Sequence, residues 1–409
     1  MGPSPLPRPI RSIDDRERRT RLVARHLLDP AQRRDRSIED VAAALGPLHS
    51  TDPVTPYLSL HARADTSIDA IDRALYDERT LARFTTIRRT VFAMDVDVAS
   101  SAWGAQHERL LRTLRSQLLR WLDRSDDVVG DPAAFLAAVG DAVVDELRRA
   151  GPLTGAQLSA AVPALATRID PQPGAAYSRP IRITSKVLEI LGIELRIVRG
   201  RPSGADLASG SWRWEVPTPG SAESVVAADS PDAETALRRL LHRHLRSYGP
   251  TTATDMAWWT GLPITAVRSA LADLDVAAVT LDGIDEPGLL LAEDIDPVDP
   301  PTSTVALLPG LDSTTMGWKQ RAWYVDDRPA TGIFDRNGNA GPTIWLDGRV
   351  VGVWSQRNDG SIGVELHEPV DPGVSAVIAT EADRITQWLG EIRVAWRYPT
   401  AATKRLATD

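Results

Sequence analysis

Cysteine is absent from this 409-residue chain, and long apolar runs are absent with it. Without cysteine the chain has no disulfide, no thiolate metal site and no cysteine nucleophile, and this composition suits a reducing compartment. No stretch approaches the roughly 18 consecutive apolar residues of a membrane-spanning helix. Residues 1–11 are rich in proline and arginine and do not resemble a secretory signal. We therefore expect a soluble cytoplasmic protein without a membrane partner.

The sequence also lacks the motifs that hold metals and nucleotides. Seven histidines are present, but none forms a His-Glu-x-x-His motif or another paired-histidine spacing, so we expect no metal site. The phosphate-binding P-loop and the Gly-x-Gly-x-x-Gly fingerprint are missing, as is the Gly-x-Ser-x-Gly motif of a serine nucleophile. We expect a protein that uses no cofactor, including no nucleotide cofactor.

A surplus of positive charge is missing as well. Lysine and arginine total 47 against 55 acidic residues, which gives a net charge of −8. A protein that coats nucleic acid non-specifically would be basic overall, so any DNA binding must come from a local basic face. The hydrophobic fraction of 43% is ordinary for a globular chain, and the length allows two or three domains.

An internal repeat is the strongest structural signal. Gly151-Pro-Leu-Thr and Gly249-Pro-Thr-Thr each precede two helical stretches separated by a turn, followed by two strand-like segments. Helix, turn, helix and a two-stranded ribbon is the winged-helix order. An earlier stretch, 37–94, has helices followed by a short sheet and is interpreted as another such unit.

These patterns predict an α+β fold of tandem winged-helix units with a small C-terminal β-rich barrel or sheet. We assign residues 1–125 to an N-terminal helix and the first unit, 126–235 to the second, 236–300 to the third and 301–409 to the β-rich domain. The last domain follows an acidic, proline-rich linker and contains several short strand patterns. Its final strand is expected at 392–396.

Six segments carry a resemblance to a known family. They are His49-Ser-Thr-Asp-Pro, Ala74-Leu-Tyr-Asp-Glu-Arg-Thr-Leu, Ile87-Arg-Arg-Thr-Val-Phe, Tyr248-Gly-Pro-Thr, Leu307-Leu-Pro-Gly-Leu-Asp and Phe334-Asp-Arg-Asn-Gly-Asn. As a set they resemble the winged-helix superfamily of AlkZ- and YcaQ-type bacterial DNA glycosylases over nearly the whole chain. The resemblance implies three winged helices and a β-barrel around duplex DNA. It also implies a monofunctional glycosylase that excises bulky or crosslinking N-alkylpurines.

The catalytic loop of that family reads Gln-apolar-Gln or Gln-apolar-Asp, and His49, Ser50 and Thr51 occupy the matching positions, so both motif ends differ. A neutral His49 imidazole could accept a proton from water, and Thr51 could hold that water. Asp52 could orient His49 or support positive charge on the sugar. Alternatively, Thr51 or Asp52 caps the helix that starts at Pro53, and His49 only packs.

Several basic and polar residues are candidate DNA contacts. By resemblance, Arg88 and Arg89 lie near the DNA channel, although an ion pair with Asp77 or Glu78 would also explain them. The remaining candidates flank predicted ribbons and turns, where Asn337-Gly338 also fits a plain type I′ turn. The complete set is Arg63, Arg88, Arg89, Lys186, Arg199, Arg201, Arg336 and Asn337.

Two functions from different classes remain open at this point. One is a monomeric glycosylase that acts on duplex DNA and associates with the nucleoid when bound. The other is a non-catalytic multi-winged-helix DNA-binding or regulatory protein that lacks the catalytic pair. A regulator should prefer one sequence, whereas a glycosylase should respond to the lesion.

Overall fold

The computed structural model describes residues 7–174, 178–203, 207, 211–299, 303–326, 328 and 331–408. Within these residues the chain forms three helix-and-sheet repeats and a C-terminal unit that contains a four-stranded sheet. No described helix combines the length and the apolar character needed to cross a membrane.

The first repeat contains the candidate catalytic loop. Strand β1 (Pro9–Ile13) and helix α1 (Asp15–Arg25) precede it. Its elements are α2 (Ile38–Leu45), β2 (Leu48–His49), α3 (Val54–His61), α4 (Ile68–Asp72), β3 (Ala82–Thr85) and β4 (Val91–Met94). Helix α4 continues into a π-helical turn, Arg73–Asp77. The antiparallel sheet has the order β2-β4-β3, so His49 lies on an edge strand.

The second repeat follows the long helix α5 (Val96–Leu122). Its elements are α6 (Pro132–Ala150), β5 (Leu153–Thr154), α7 (Gly155–Ala161), β6 (Arg168–Ile169), β7 (Ile181–Arg182), α8 (Thr184–Ile193), β8 (Val198–Pro202) and β9 (Trp212–Glu215). Strands β5, β9 and β8 form the main sheet in that order, as in the first repeat. The segment 200–211, which runs from the end of β8 up to β9, is rich in glycine and serine, which predicts a turn, and half of it falls on residues 204–206 and 208–210, which lie outside the described residues.

The third repeat recruits the N-terminal strand. Its elements are α9 (Ala222–Asp229), α10 (Ala233–Tyr248), α11 (Ala253–Thr260), α12 (Ile264–Leu271), β10 (Val276–Leu281) and β11 (Ile284–Leu291). Thr251 bridges Leu289 where the other repeats have their short first strand. Strand β1 pairs in parallel with β10, with Pro9 opposite Ala278. In space β1 therefore lies with the third repeat, whereas the predicted boundaries group it with the first.

The C-terminal unit is an open sheet covered by a helix. Its elements are β12 (Val305–Leu308), β13 (Thr343–Leu346), β14 (Arg349–Gln356), β15 (Ile362–Leu366), α13 (Pro372–Leu389) and α14 (Ala401–Thr408). The strands are antiparallel in sequence order, and within the described residues β12 and β15 do not pair to close a barrel. Ile378 and Ile385 of α13 instead cover the sheet and share a core cluster with Ile344 and Trp354.

The strand expected at 392–396 is not formed. The Gln356 side chain accepts a hydrogen bond from the backbone N–H of Val394 at 2.8 Å and donates to the carbonyl of Ile392 at 3.0 Å. Backbone groups that a sheet ladder would use are therefore satisfied by one buried amide side chain.

Two separate cores determine how the repeats meet. The largest apolar cluster joins α1, the first repeat, α10, α11 and the C-terminal unit, through residues such as Phe92, Tyr248 and Trp345. The second repeat has its own cluster, built from α5 to α8 with Trp214. The first and second repeats therefore meet at a boundary between two cores, and a cleft lies there.

Candidate catalytic loop and nucleic-acid interface

His49 is a half-buried histidine whose imidazole makes no hydrogen bond among the described residues. It lies opposite Phe92 on β4, and the two rings meet edge to face at 5.4 Å. Its Nδ1 atom is buried and has no partner. Burial, together with the nearby Arg88 guanidinium, lowers the pKa of His49 to about 3. The ring is therefore neutral at neutral pH and offers one nitrogen lone pair as an acceptor.

Ser50, the middle residue of the loop, is bound by an arginine that the sequence analysis did not single out. The backbone N–H of Ser50 donates to the Val91 carbonyl at 2.8 Å, which extends the edge of the sheet. Arg83 on β3 donates to the Ser50 hydroxyl at 2.8 Å and to its carbonyl at 3.1 Å. A single charged residue inside the apolar series Leu81, Ala82 and Phe84 is the sequence signal that could have identified it.

Asp52 binds backbone groups at the start of α3 and in the C-terminal segment. Its carboxylate accepts hydrogen bonds from the backbone N–H groups of Val54 at 3.4 Å and Arg397 at 3.0 Å. The residue is buried, and this burial raises the pKa of Asp52 although both hydrogen bonds favour the carboxylate. The side chain thus binds the first turn of α3 and the C-terminal segment, and among the hydrogen bonds of the described residues none joins it to His49.

Thr51 opens into a cleft of about 700 Å³ between the first and second repeats. The first repeat contributes Thr51 and Arg89, and the second contributes basic, hydroxyl and aromatic side chains. Those most relevant to an anionic ligand are Arg182, Ser185, Arg199 and Trp214. Three guanidinium groups and five hydroxyl side chains in one cleft form a surface that suits a phosphodiester.

Arg199 is a cation of this cleft that stacks on an aromatic ring. Its guanidinium lies 4.7 Å from the centre of the Trp214 ring, and no ion pair or hydrogen bond engages it within the described residues. Burial and the charges of Arg83 and Arg397 lower the pKa of Arg199 to about 10, so it remains protonated at neutral pH. Aromatic stacking with free donors leaves the group ready for an anion.

Arg88, Arg89 and Lys186 have partners other than those considered from the sequence. Arg89 pairs with Glu189 of α8 at 2.7 Å, and Lys186 lies 3.9 Å from the same carboxylate. Arg88 stacks over Trp258 of α11 at 4.4 Å, and its Nε is buried without a partner. No ion pair to Asp77 or Glu78 is formed by Arg88 or Arg89 in the described structure.

Two of the expected DNA contacts are occupied within the protein. Arg63 is fully buried, and its guanidinium makes a two-point ion pair with Asp312 at 2.8 and 3.0 Å and also donates to Thr314. This arrangement leaves Arg63 no access to a phosphate. Arg201 pairs with Asp72 and, at 2.8 Å, with Asp77. It binds the β8–β9 hairpin to the first repeat.

Arg336 and Asn337 are exposed at the tip of a turn. The backbone N–H of Gly338 donates to the Asp335 carbonyl at 3.0 Å, and only Gly338 of the turn has a positive φ, of 80°. A type I′ turn needs positive φ at both central residues, so the type I′ expectation is wrong. The Asp335 carboxylate accepts from the backbone N–H groups of Asn337 and Asn339, which fixes a wider loop.

Comparison with known proteins identifies the family. The family model described as DNA glycosylase AlkZ-like matches residues 42–388. The chain belongs to the AlkZ-like DNA glycosylase family. Its function is accordingly glycosylase-like and directed at DNA, which confirms the sequence-based prediction at that level.

A solved structure has the fold of this AlkZ-like chain. The DNA glycosylase AlkZ of Streptomyces sahachiroi matches with a TM-score of 0.69 and 19% sequence identity, covering 94% of this chain and 99% of its own. At this identity the likeness concerns the fold alone. Among curated protein sequences, none matches the chain.

Proposed function

We propose that this AlkZ-like protein is a monofunctional DNA glycosylase that releases bulky or crosslinking N-alkylpurines from duplex DNA. One observation carries the proposal: a loop with a neutral imidazole at His49 continues into Thr51, which lines an arginine-rich cleft. An acceptor for water and a surface for the DNA backbone thus come from three consecutive residues and their neighbours.

The reaction requires little from the protein beyond orientation. An N-alkylated purine is cationic, so when the C1′–N bond breaks the bonding electrons neutralise the leaving base. Water then bonds to C1′ and loses a proton. With a pKa of about 3, His49 is a weak base, so we assign it the role of hydrogen-bond acceptor that orients the water while the proton passes to solvent. The Thr51 hydroxyl would hold the same water.

We further propose that the three repeats are winged-helix units that bind DNA. The order helix, strand, two helices and two strands in the first and second repeats supports this assignment. Arg199 and Arg89 would contact phosphates in the cleft, Lys186 and Arg88 would add charge beside it, and the exposed turn would reach the duplex. That turn carries Arg336 and Asn337. Asp52, Arg63 and Arg201 have structural partners and are left out of the proposed site.

The test is base release from a duplex that contains N7-alkylguanine. We expect His49→Ala to lower the single-turnover rate by about 100-fold, because loss of the geometry of a reacting group costs on that scale. Thr51→Ala should have a smaller effect. His367→Ala changes an exposed histidine of the C-terminal unit and is the matched control, which should retain the native rate.

The alternative function predicts a different outcome. If several alkylated duplexes release no base while DNA binding persists, the glycosylase proposal fails. The departure of both motif ends, His49 and Thr51, would then mark a non-catalytic winged-helix DNA-binding protein.

A further inference from the structure

We propose that Arg83 is the positioning residue for the His49-Ser50-Thr51 loop, and that Trp212 of the second repeat holds Arg83 in place. The assignment of a catalytic role to this loop rests on the proposed function. The positioning role itself rests on the contacts of Arg83, which neither the sequence analysis nor the family match identifies.

The contacts of Arg83 converge on one residue of the loop. Its side chain is almost fully buried, and its Nε and Nη2 atoms donate to the hydroxyl and carbonyl of Ser50. The third nitrogen, Nη1, donates to the Tyr76 hydroxyl at 3.2 Å. A planar guanidinium that binds two atoms of one residue fixes both the position and the direction of that residue. Because His49 and Thr51 flank Ser50, their side chains are oriented by the same contact.

The face of the guanidinium is covered by the neighbouring repeat. The Arg83 guanidinium carbon lies 3.7 Å from the centre of the Trp212 ring, at the start of β9. One further ion pair attaches this hairpin to the first repeat, between Arg79 and Glu215 at 2.6 Å; Arg79 also pairs with Glu223 of α9 at 2.8 Å. The backbone N–H of Arg83 also donates to Glu223 at 3.0 Å.

This arrangement makes the loop sensitive to the second repeat. A phosphodiester bound in the cleft would contact Arg199 on β8, which is hydrogen-bonded to β9. Trp212 on β9 would transmit any shift of that hairpin to Arg83 and so to Ser50. Arg83 therefore connects the cleft to the loop, although it touches neither the cleft nor the reacting atoms.

The first experiment compares Arg83→Met and Arg83→Lys with Arg33→Met as a matched control. Arg33 is also a buried arginine, paired with Glu381 at 2.8 Å, but it lies beyond the opposite end of α3 and donates to the Ala62 carbonyl. We expect Arg83→Met to lower the single-turnover rate of base release by 10- to 100-fold while the Kd for DNA changes less than about threefold. Arg83→Lys should give an intermediate rate, and Arg33→Met should match the native rate.

The second experiment needs no activity. The Cε1–H signal of His49, in protein labelled at histidine and assigned with His49→Gln, is followed from pH 5 to pH 8. In the native protein we expect no titration, because burial and the Arg88 charge hold the pKa near 3. In Arg83→Met and in the milder Trp212→Leu we expect a loosened, hydrated loop whose His49 signal titrates within this range.

The outcomes separate the two proposals. Absence of base release in the native protein would reject the glycosylase proposal and leave the histidine titration to decide the role of Arg83. The positioning role is overturned if the His49 signal stays unchanged in both Arg83→Met and Trp212→Leu. It is overturned equally if Arg83→Met and Arg33→Met lose the same fraction of the rate.

Discussion

His49 differs from an ordinary histidine in the pH range where it changes charge. Its pKa of about 3, against an ordinary value of about 6.5, keeps the imidazole neutral at every pH above about 4. We therefore expect the rate of base release to show no histidine inflection between pH 5 and pH 8, measured in single-turnover reactions. His49→Gln, which restores an amide acceptor, should give the same flat profile within about tenfold of the native rate. An inflection near pH 6.5 that disappears in His49→Gln would contradict this role.

His244 is a buried histidine whose two ring nitrogens have no hydrogen-bond partner within the described residues. It stacks on Tyr248 at 4.7 Å and lies 4.5 Å from Trp259. We expect His244→Phe to raise the free energy of unfolding at pH 7 by about 1 kcal/mol, because two unsatisfied polar atoms are removed. His26→Phe is the contrast, since His26 accepts from Thr314 and donates to the Ser247 carbonyl. The His26→Phe change should lower the free energy of unfolding by about 1–3 kcal/mol.

The same pair of variants tests the pH dependence of stability. Burial lowers the pKa of His244 and of His26 to about 3, so between pH 6.5 and pH 3 the unfolded chain binds more protons than the folded one. Stability is therefore lost as the pH falls through this window, by up to about 1.4 kcal/mol per pH unit for each histidine. Denaturant unfolding at several pH values should show a shallower acid slope in both variants. An unchanged slope in His244→Phe would show that this histidine titrates in the folded protein as it does in the unfolded chain.

At the scale of single residues, the sequence shows the chemical type of a side chain more readily than its surroundings in the fold. His49 and Thr51 were found because they occupy motif positions in a recognised segment. Arg63 was predicted to contact DNA although it is buried, and Arg83 was not singled out. The partners of both are distant in sequence, since Asp312 is 249 positions from Arg63 and Ser50 is 33 positions from Arg83. Whether an arginine is buried and paired or exposed and free depends on the tertiary fold, which a single sequence does not display.

Helix α8 places one carboxylate among the proposed DNA-binding cations. Glu189 neutralises Arg89 at 2.7 Å and lies 3.9 Å from Lys186. Removing the charge of Glu189 should strengthen DNA binding, because a phosphate then no longer competes with this carboxylate for Arg89 and Lys186. We expect Glu189→Gln to lower the Kd for undamaged duplex by about three- to tenfold at low salt, measured by fluorescence anisotropy. The control is Glu194→Gln, directly after the last residue of α8, because Glu194 pairs with Arg115 outside the cleft; this change should leave the Kd unchanged. Equal effects of both changes would indicate a general charge effect.

Among elements, the helices were predictable and the shortest strands were not. Leucines at 110, 111, 114, 118, 119 and 122 recur at helical spacing, and they lie in helix α5 (Val96–Leu122), which Asp95 caps. Strands β2 and β5 have two residues each, too few for any alternation to appear in the sequence. Their existence depends on partners, Phe92 for His49 and Arg213 for Thr154. The missing strand at 392–396 has the same explanation, since Gln356 takes the backbone bonds that a partner strand would supply.

At the scale of the whole molecule, a net charge of −8 must coexist with a DNA-binding face. Local arginines then set the salt dependence of binding, because each phosphate contact releases counterions. We expect Arg199→Ala to weaken binding to all sequences and to reduce the slope of log Kd against log salt by about one. Arg148→Ala, on the exposed face of α6, is the control and should leave the slope unchanged. A slope unaffected by Arg199→Ala would remove the cleft from the DNA interface.

The architecture as a whole followed from two sequence signals of different kinds. The repeated Gly-Pro-x-Thr pattern marked the second and third repeats, while the family resemblance marked the first. Of the two expected forms of the C-terminal unit, barrel or sheet, the described residues form the open sheet; α13 covers its face, and coverage by a helix leaves no signal in the strands themselves.

The parallel pairing of β1 with β10 has a consequence for the order of events during synthesis. Ala278, the partner of Pro9, is added to the chain 269 residues after it. At roughly 5–20 residues per second, the first strand waits about a quarter of a minute to a minute for its partner. During that interval the earlier repeats can assemble as separate units, whereas the sheet of the third cannot be completed. The beginning of the chain is therefore among the last parts to reach its final place.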